Sequence, residues 1–167
     1  GAEAHVTIHV SLQMLGLGRS RVHTVAADGQ GRMRADALRE TLAGLRERPV
    51  LVCAQSGNVN TGAFDPLPEI VAAVRELPNA WLHVDGAFGL WAAAAPGLRH
   101  IAAGLADADS WTTDAHKWLN VPYDSGIAIV RDVAAHHAAM TLGAAYYVET
   151  AGGERDPYNW VAESSRR

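Results

Sequence analysis

Cysteine is nearly absent from this sequence, and its scarcity excludes a disulfide-based fold. Cys53 has no second cysteine with which to pair, which fits a reducing compartment such as the cytoplasm. The residue lies in the apolar run 50–54, where we expect a buried structural thiol and not a nucleophile. Long hydrophobic runs are also missing, and none approaches the ~20 residues that a membrane span needs. We therefore expect no membrane-spanning segment.

A strong excess of charge of either sign is absent as well. The chain has 14 Lys and Arg against 18 Asp and Glu, which gives a net charge of −4. This balance provides no electrostatic reason to expect binding to nucleic acid or to an anionic membrane. With 167 residues, of which 49% are hydrophobic, the chain is large enough to bury a core as one domain.

Lysine is the third scarcity, and its single occurrence is chemically informative. Arginine supplies every basic residue except Lys117. A guanidinium stays protonated and cannot form a Schiff base, whereas a buried lysine loses its proton readily. A lone lysine could equally be a surface charge in a protein from a GC-rich genome. The residues around Lys117 decide between these interpretations.

Apolar runs alternate with helical patterns, which is typical of an α/β protein with a mainly parallel sheet. The predicted strands are 50–54, 81–84, 110–113 and 126–130, with a strand-like stretch at 22–25. The predicted helices are 5–15, the segment of Leu38, Leu42 and Leu45, and a helix near Pro66 and Pro68 that Asp65 could cap. An Ala-rich stretch around Pro96 is expected to be partly helical.

Two of the predicted strands end beside residues of complementary chemistry. Asp85 closes the strand 81–84, and Lys117 follows the strand 110–113. In open α/β sheets, ligands bind at the carboxyl ends of the strands, so both residues are expected to face one crevice. Pyridoxal phosphate requires such a pair, a lysine for the imine and an acid on the pyridine nitrogen. The alternative role for Asp85 is a turn residue or helix cap before Gly86.

Four segments, in the same order, resemble signature segments of the pyridoxal-phosphate-dependent group II amino-acid decarboxylases, which include the aromatic-amino-acid, histidine and glutamate decarboxylases. They are residues 4–7, 54–67, 81–89 and 108–126. The resemblance implies a fold type I large domain, with three α/β/α layers and a mainly parallel sheet. Residues 1–167 would be its central part, without the upstream phosphate turn or the small C-terminal domain. Alone, the chain is then expected to bind the cofactor weakly and not to decarboxylate amino acids.

The resemblance also implies roles for individual residues in a full-length homodimer whose small-molecule substrate is an amino acid. Lys117 would hold pyridoxal phosphate as a Schiff base, and Asp85 would keep the pyridine nitrogen protonated, so that the ring accepts electrons as carbon dioxide leaves. His5 would lie flat against one face of the ring. Ala87 would pack against the other face, where its small side chain leaves room.

Further positions match family residues close to the phosphate or to the cofactor loop. His116 and Ser110 match positions near the phosphate, and Asn58 lies on the loop that reaches the cofactor. Asp114 stands where the better-known decarboxylases have asparagine. An ionised aspartate would repel a phosphate, so it either points elsewhere or accepts a hydrogen bond from a neighbour. Val59 has no side chain that can form a hydrogen bond, and we assign it no polar role.

Other interpretations of the same residues remain open. An aminotransferase-like or aldolase-like enzyme would need the same lysine and aspartate, and a catalytically silent scaffold could descend from such an enzyme. His83 and Asp85 share one strand face, but no further ligands complete a metal site, so we expect none. The Gly-rich segment 141–160 contains Tyr146, Tyr147 and Tyr158, and loops of this kind can cover active sites.

Overall fold

The computed structural model describes residues 1–141 and 159–161. The chain divides into two compact units, Gly1–Ile129 and Val130–Arg167. Tyr146, Tyr147 and Tyr158 lie outside the described residues. Within the described parts of the chain, every helix is too short or too polar to cross a membrane.

A four-stranded sheet forms the centre of the first unit. Its strands are β1 (Val50–Gln55), β2 (Ala80–Asp85), β3 (Ser110–Asp114) and β4 (Gly126–Val130), and they neighbour one another in chain order. The pairs β1–β2 and β2–β3 are both parallel. The predicted mainly parallel sheet is therefore confirmed, and its strands match the predicted positions to within one residue at each end.

The helices are α1 (Val6–Met14), α2 (Ala35–Ala43), α3 (Leu67–Arg75) and α4 (Val133–Met140). Helix α3 places Ile70 and Val74 on one face, four residues apart, and both are fully buried. They belong to one apolar cluster with Leu82 and Val84, which alternate along β2 and face the same side of the sheet. The other side of β2 carries Trp81, His83 and Asp85, so the polar residues are left for the face opposite α3.

The Ala-rich stretch around Pro96, which the sequence predicted to be partly helical, forms short 3-10 helices. They span Leu90–Ala94, Pro96–Ala102 and Leu105–Asp107. Arg75 at the end of α3 donates two hydrogen bonds to the carboxylate of Asp109, which also accepts from the Leu82 N–H at 2.7 Å. This contact connects the end of α3 to the start of β3.

Three local predictions are wrong. The stretch 22–25 forms no strand, because the only ladder contact nearby is an isolated bridge between Ala27 and Met33. Helix α2 ends at Ala43, before Leu45. Asp65 does not cap α3, because its buried carboxylate accepts hydrogen bonds from the backbone N–H groups of Met33 and Gln55, each at 2.7 Å.

The second unit is described only for 130–141 and 159–161. Asp132 caps α4 by accepting hydrogen bonds from the N–H groups of Ala134 and Ala135. The rings of His136 and His137 both contact the ring of Trp160, at centroid distances of 5.4 and 5.2 Å.

Candidate active site

A cleft of about 450 Å³ opens where the parallel strands end, between the sheet and α1. The last residues of β1, β2 and β3 are Gln55, Asp85 and Asp114, and all three line it. Carboxyl ends of parallel strands meet at one edge of a sheet, which explains why three distant parts of the chain converge here. The volume falls within the range of roughly 300–1,000 Å³ that small-molecule sites occupy.

Asp85 is held rigidly at the end of β2. Its carbonyl accepts a hydrogen bond from Ser56 N–H at 2.8 Å, and its Oδ1 accepts from Ala87 N–H at 3.1 Å. Its side chain lines the cleft although the residue is only 9% exposed. Among the described residues, no cationic side chain forms an ion pair with this carboxylate.

Two loops meet tightly behind Asp85, and glycine makes this approach feasible. Gly57 has a φ of +86°, and a Cβ added there would lie 2.8 Å from the nitrogen of Gly89. Gly89 in turn donates its N–H to the carbonyl of Ser56 at 2.9 Å. The loop after β1 and the turn after β2 are therefore locked together at the wall of the cleft.

Lys117 reaches the cleft from the loop after β3. Its Nζ lies 2.8 Å from Asp114 Oδ2, and it also lies 4.4 Å from the centre of the Phe88 ring. A carboxylate and an aromatic face both stabilise an ammonium, so the amine has a defined position without a ligand. The carboxylate that faces it, Asp114, accepts from a neighbour, which is one of the two arrangements expected from the sequence.

His116 lies next to this pair but does not line the cleft. Its Nδ1 accepts a hydrogen bond from Ser125 N–H at 2.9 Å, and its ring stacks on Tyr123 with centroids 4.1 Å apart. A nitrogen that accepts a hydrogen bond bears no proton, so the proton of the neutral ring is on Nε2. That nitrogen faces Asp114 Oδ2 at 3.8 Å.

His5 and Ala87 both line the cleft. His5 caps α1, because its Nδ1 accepts from Thr7 N–H at 3.4 Å and lies 2.8 Å from Thr7 Oγ1. Its imidazole is thus oriented by the first turn of the helix. Ala87 follows the turn after β2, where Asp85 Oδ1 accepts its N–H.

Ser110 and Asn58 are placed behind the wall of the cleft instead of on its surface. Ser110 begins β3, and its Oγ accepts from Trp81 Nε1 at 2.8 Å and lies 2.9 Å from His83 Nδ1. Asn58 is buried, and its Oδ1 accepts from the N–H groups of the next loop residues, 60 and 61. Its Nδ2 donates to Gln55 Oε1 at 3.4 Å. Their partners His83 and Gln55 do line the cleft.

Several lining residues were not singled out from the sequence as parts of this site. They are Gln55, Phe88 and Thr112, together with His83, which had been considered only as a metal ligand. The period of two along a strand could have found Gln55, His83 and Thr112, whereas Phe88 lies in the turn after β2 and has no such signal. Thr112 pairs with Asp85 in the register of β2 and β3, and it shares a face with Asp114.

Burial changes the acid–base properties of two groups on the cleft floor. Desolvation lowers the pKa of His83 below its usual 6.5, against an opposing attraction from Asp85. Burial raises the pKa of the Cys53 thiol, which favours the neutral form and disfavours a nucleophilic role. Cys53 is half-buried and lines the cleft, which differs from the fully buried position expected from the sequence. Within the described ranges, no group of three potential ligands could hold a metal ion.

This set of groups fits pyridoxal phosphate. The cleft contains the chain's one lysine amine, which an aldehyde could bind, and a nearly buried carboxylate without a cationic partner among the described residues. A buried carboxylate is stable when a cation pairs with it, and a protonated pyridine nitrogen is such a cation.

Comparisons with known proteins point in the same direction. A family model described as the pyridoxal-dependent decarboxylase conserved domain matches residues 1–167. The chain is 40% identical over 139 residues to an L-2,4-diaminobutyrate decarboxylase of Rhizobium meliloti, an alignment that covers 78% of this chain and 27% of that protein. It is 37% identical over 134 residues to the acidic amino acid decarboxylase GADL1 of Mus musculus, covering 78% of this chain and 24% of that protein. The chain thus spans about a quarter of the length of these curated relatives.

Solved structures show the same similarity at the level of the fold. Mouse CSAD in its apo form superposes with a TM-score of 0.84 at 28% sequence identity, covering 99% of this chain and 35% of that one. A glutamate decarboxylase domain from Vibrio parahaemolyticus superposes with a TM-score of 0.70 at 29% identity, covering 77% of this chain and 28% of that one.

Proposed function

Because the chain belongs to the pyridoxal-dependent decarboxylase family, which implies pyridoxal phosphate as the cofactor, we propose that the whole protein decarboxylates an L-amino acid. The observation that supports this proposal most directly is that Lys117 and Asp85 line the same cleft. The bound cofactor would supply an electron sink for the pair of electrons that remains when carbon dioxide leaves.

The residues of the chain would bind this cofactor and orient it. Lys117 Nζ would be the point of covalent attachment, since Lys117 lines the cleft beside Asp85. Asp85 would hold a proton on the ring nitrogen through a charge-assisted hydrogen bond in a site that excludes most water. His5 and Ala87 would confine the ring from its two faces, because both line the cleft and Ala87 leaves space beside it.

The remaining predicted cofactor residues would act near the phosphate or through their neighbours. His116 presents Nε2–H towards Asp114, so it would act on the phosphate end of the site through that carboxylate. Ser110 would orient His83, to which it is hydrogen-bonded, and Asn58 would orient Gln55 in the same way.

Two further features are proposed for the whole protein. We infer a homodimer, because the loop after Lys117 exposes Trp118 and Tyr123 at 69% and 81%, and apolar surface of this kind is typical of an interface. The cytoplasm is the proposed location, since the single cysteine fits a reducing compartment. Light scattering of the purified protein, with a Tyr123→Ser variant as a probe of the interface, tests the dimer.

Measurement of carbon dioxide release tests the proposed reaction. The whole protein would be incubated with pyridoxal phosphate and a panel of acidic, diamino and aromatic L-amino acids, because relatives with names from each of these classes match the chain. We expect one amine formed for each carbon dioxide released, and no release by Lys117→Arg, which keeps the charge but cannot attach the cofactor. Transfer of the amino group to an oxo acid without carbon dioxide would support the aminotransferase alternative instead.

A further inference from the structure

Asp114 ends β3 at the point where the loop towards Lys117 begins, and its carboxylate faces two potential partners. Oδ2 lies 2.8 Å from Lys117 Nζ and 3.8 Å from His116 Nε2. The side chains of Asp114 and Lys117 are 25% and 26% exposed, so their contact is partly accessible to water and salt ions. The carboxylate and the amine both line the cleft.

The position of the carboxylate is set by the backbone around it. Lys117 N–H donates to the carbonyl of Asp114 at 3.3 Å, and Ala115 N–H donates to the carbonyl of Ser125 at 2.9 Å. These bonds fold the loop so that residues 114 and 117 share one side of a turn. His116 is fixed by its own bond to Ser125 N–H, so its Nε2–H faces the same carboxylate oxygen.

At 2.8 Å from Oδ2, the Lys117 amine is directed at Asp114, whereas attack on an aldehyde requires the amine to be directed at the carbonyl carbon. The amine must therefore leave Asp114 before it can bind the cofactor. Asparagine at this position would accept a hydrogen bond but would not form an ion pair.

We propose that Asp114 is a positioning residue that holds the Lys117 amine in the cleft of the cofactor-free protein, so that cofactor loading competes with an internal ion pair. The proposal rests on the proposed function, but the contact between Asp114 and Lys117 is itself observed in the structure. Its predicted consequence is that removal of the carboxylate makes the amine more reactive and the cofactor bind more tightly.

The first test measures the reactivity of Lys117 in the cofactor-free protein. Wild type, Asp114→Asn, Asp114→Glu and the surface control Glu40→Gln would be treated with an N-hydroxysuccinimide acetate, and acetylation of Lys117 would be followed by peptide mass spectrometry. Lys117→Arg identifies the signal. We expect Asp114→Asn to react roughly two- to fivefold faster than wild type, which is the range for a partly exposed ion pair. Asp114→Glu and Glu40→Gln should stay near the wild-type rate.

A second readout uses the unmodified protein and does not depend on the folding of a variant. Salt weakens a solvent-accessible ion pair, so acetylation of wild-type Lys117 should accelerate as ionic strength rises. The same salt series should leave the rate of Asp114→Asn nearly unchanged. Equal rates for wild type and a folded Asp114→Asn, or a wild-type rate that does not respond to salt, would overturn the proposal.

The final test connects the pair to the cofactor. In a titration with pyridoxal phosphate, Asp114→Asn should bind with a dissociation constant about two- to fivefold lower than that of wild type, the same factor as in acetylation. Weaker binding by Asp114→Asn would contradict the competition. A protein that binds no cofactor at all would refute the proposed function, whereas the acetylation result would stand by itself.

Discussion

Asp85 and Thr112 are paired in the register of β2 and β3, and the N–H of the next residue, Gly86, donates to the Thr112 carbonyl at 2.8 Å. The backbone of Asp85 is therefore fixed by two strands, and its carboxylate accepts a hydrogen bond from Ala87 N–H in the turn that follows. A group that must meet a ring nitrogen within hydrogen-bonding distance benefits from such a rigid base, because small displacements weaken the contact.

Replacement of Asp85 by asparagine should reduce turnover much more than cofactor binding. The negative charge is needed most when charge develops on the ring in the transition state, so its loss should lower kcat by on the order of 10²-fold or more. Steady-state kinetics and a cofactor titration of the same variant check this. A variant with normal kcat and weakened binding would show that Asp85 has only a structural role.

His83 should make the stability of the protein sensitive to mild acid. Burial lowers its pKa in the folded state below the usual 6.5, so the unfolded chain binds the proton more tightly. The stability that the neutral ring provides is present above pH 6.5 and is lost as the pH falls through the folded pKa. Urea unfolding at several pH values below neutrality should show a steeper loss for wild type than for His83→Gln. Parallel pH profiles would contradict this assignment.

Asp65 should stabilise the fold through its two backbone hydrogen bonds although its charge is buried. Burial raises its pKa, which disfavours the ionised form, yet both oxygens accept a backbone N–H. Asparagine would direct an NH₂ group at one of these donors, so Asp65→Asn should lower the free energy of unfolding by about 1–3 kcal/mol. Thermal unfolding measures this, with the surface residue change Asp36→Asn as a control that should leave the midpoint almost unchanged. A midpoint equally unaffected by Asp65→Asn would refute the role.

Gly57 and Gly62 form a matched pair that separates steric contact from backbone strain. Both have positive φ angles, of +86° and +73°, but an added Cβ meets the Gly89 backbone only at Gly57. Gly62→Ala should destabilise the protein by about 1–2 kcal/mol through strain alone. Gly57→Ala should lower the free energy of unfolding by about 1–3 kcal/mol more than Gly62→Ala does, since the facing backbone cannot move aside. Similar unfolding midpoints for the two variants would indicate that the contact between the loops is soft.

The sequence predicted the sheet and the approximate location of the cleft because both depend on local patterns. Apolar runs bounded by Gly, Pro or Asp define the strands, and strands of a parallel sheet bring their ends together wherever they lie in the chain. The prediction failed at 22–25, where the Val25 carbonyl accepts a hydrogen bond from Ala2 N–H and not from a neighbouring strand. Whether such a stretch becomes a strand depends on distant residues that periodicity does not identify.

The sequence did not predict the orientation of individual side chains. Asp65 precedes a helix and has the right chemistry for a cap, but two backbone N–H groups from other segments compete for its oxygens. The sequence predicted that Ser110 and Asn58 lie close to the cofactor. In the structure, Ser110 Oγ accepts a hydrogen bond from Trp81, and Asn58 Oδ1 accepts one from the backbone of its own turn. The sequence left two arrangements open for Asp114, and the geometry of the loop shows the one in which its carboxylate pairs with Lys117.

The most direct test of the central proposal is the site at which the cofactor attaches. The whole protein, loaded with pyridoxal phosphate, would be reduced with borohydride, digested and mapped by mass spectrometry, with Lys117→Arg treated in parallel. We predict one cofactor-modified peptide, which contains Lys117, and neither modification nor turnover in the arginine variant. A protein that releases carbon dioxide from an amino acid while Lys117 remains unmodified would contradict the account.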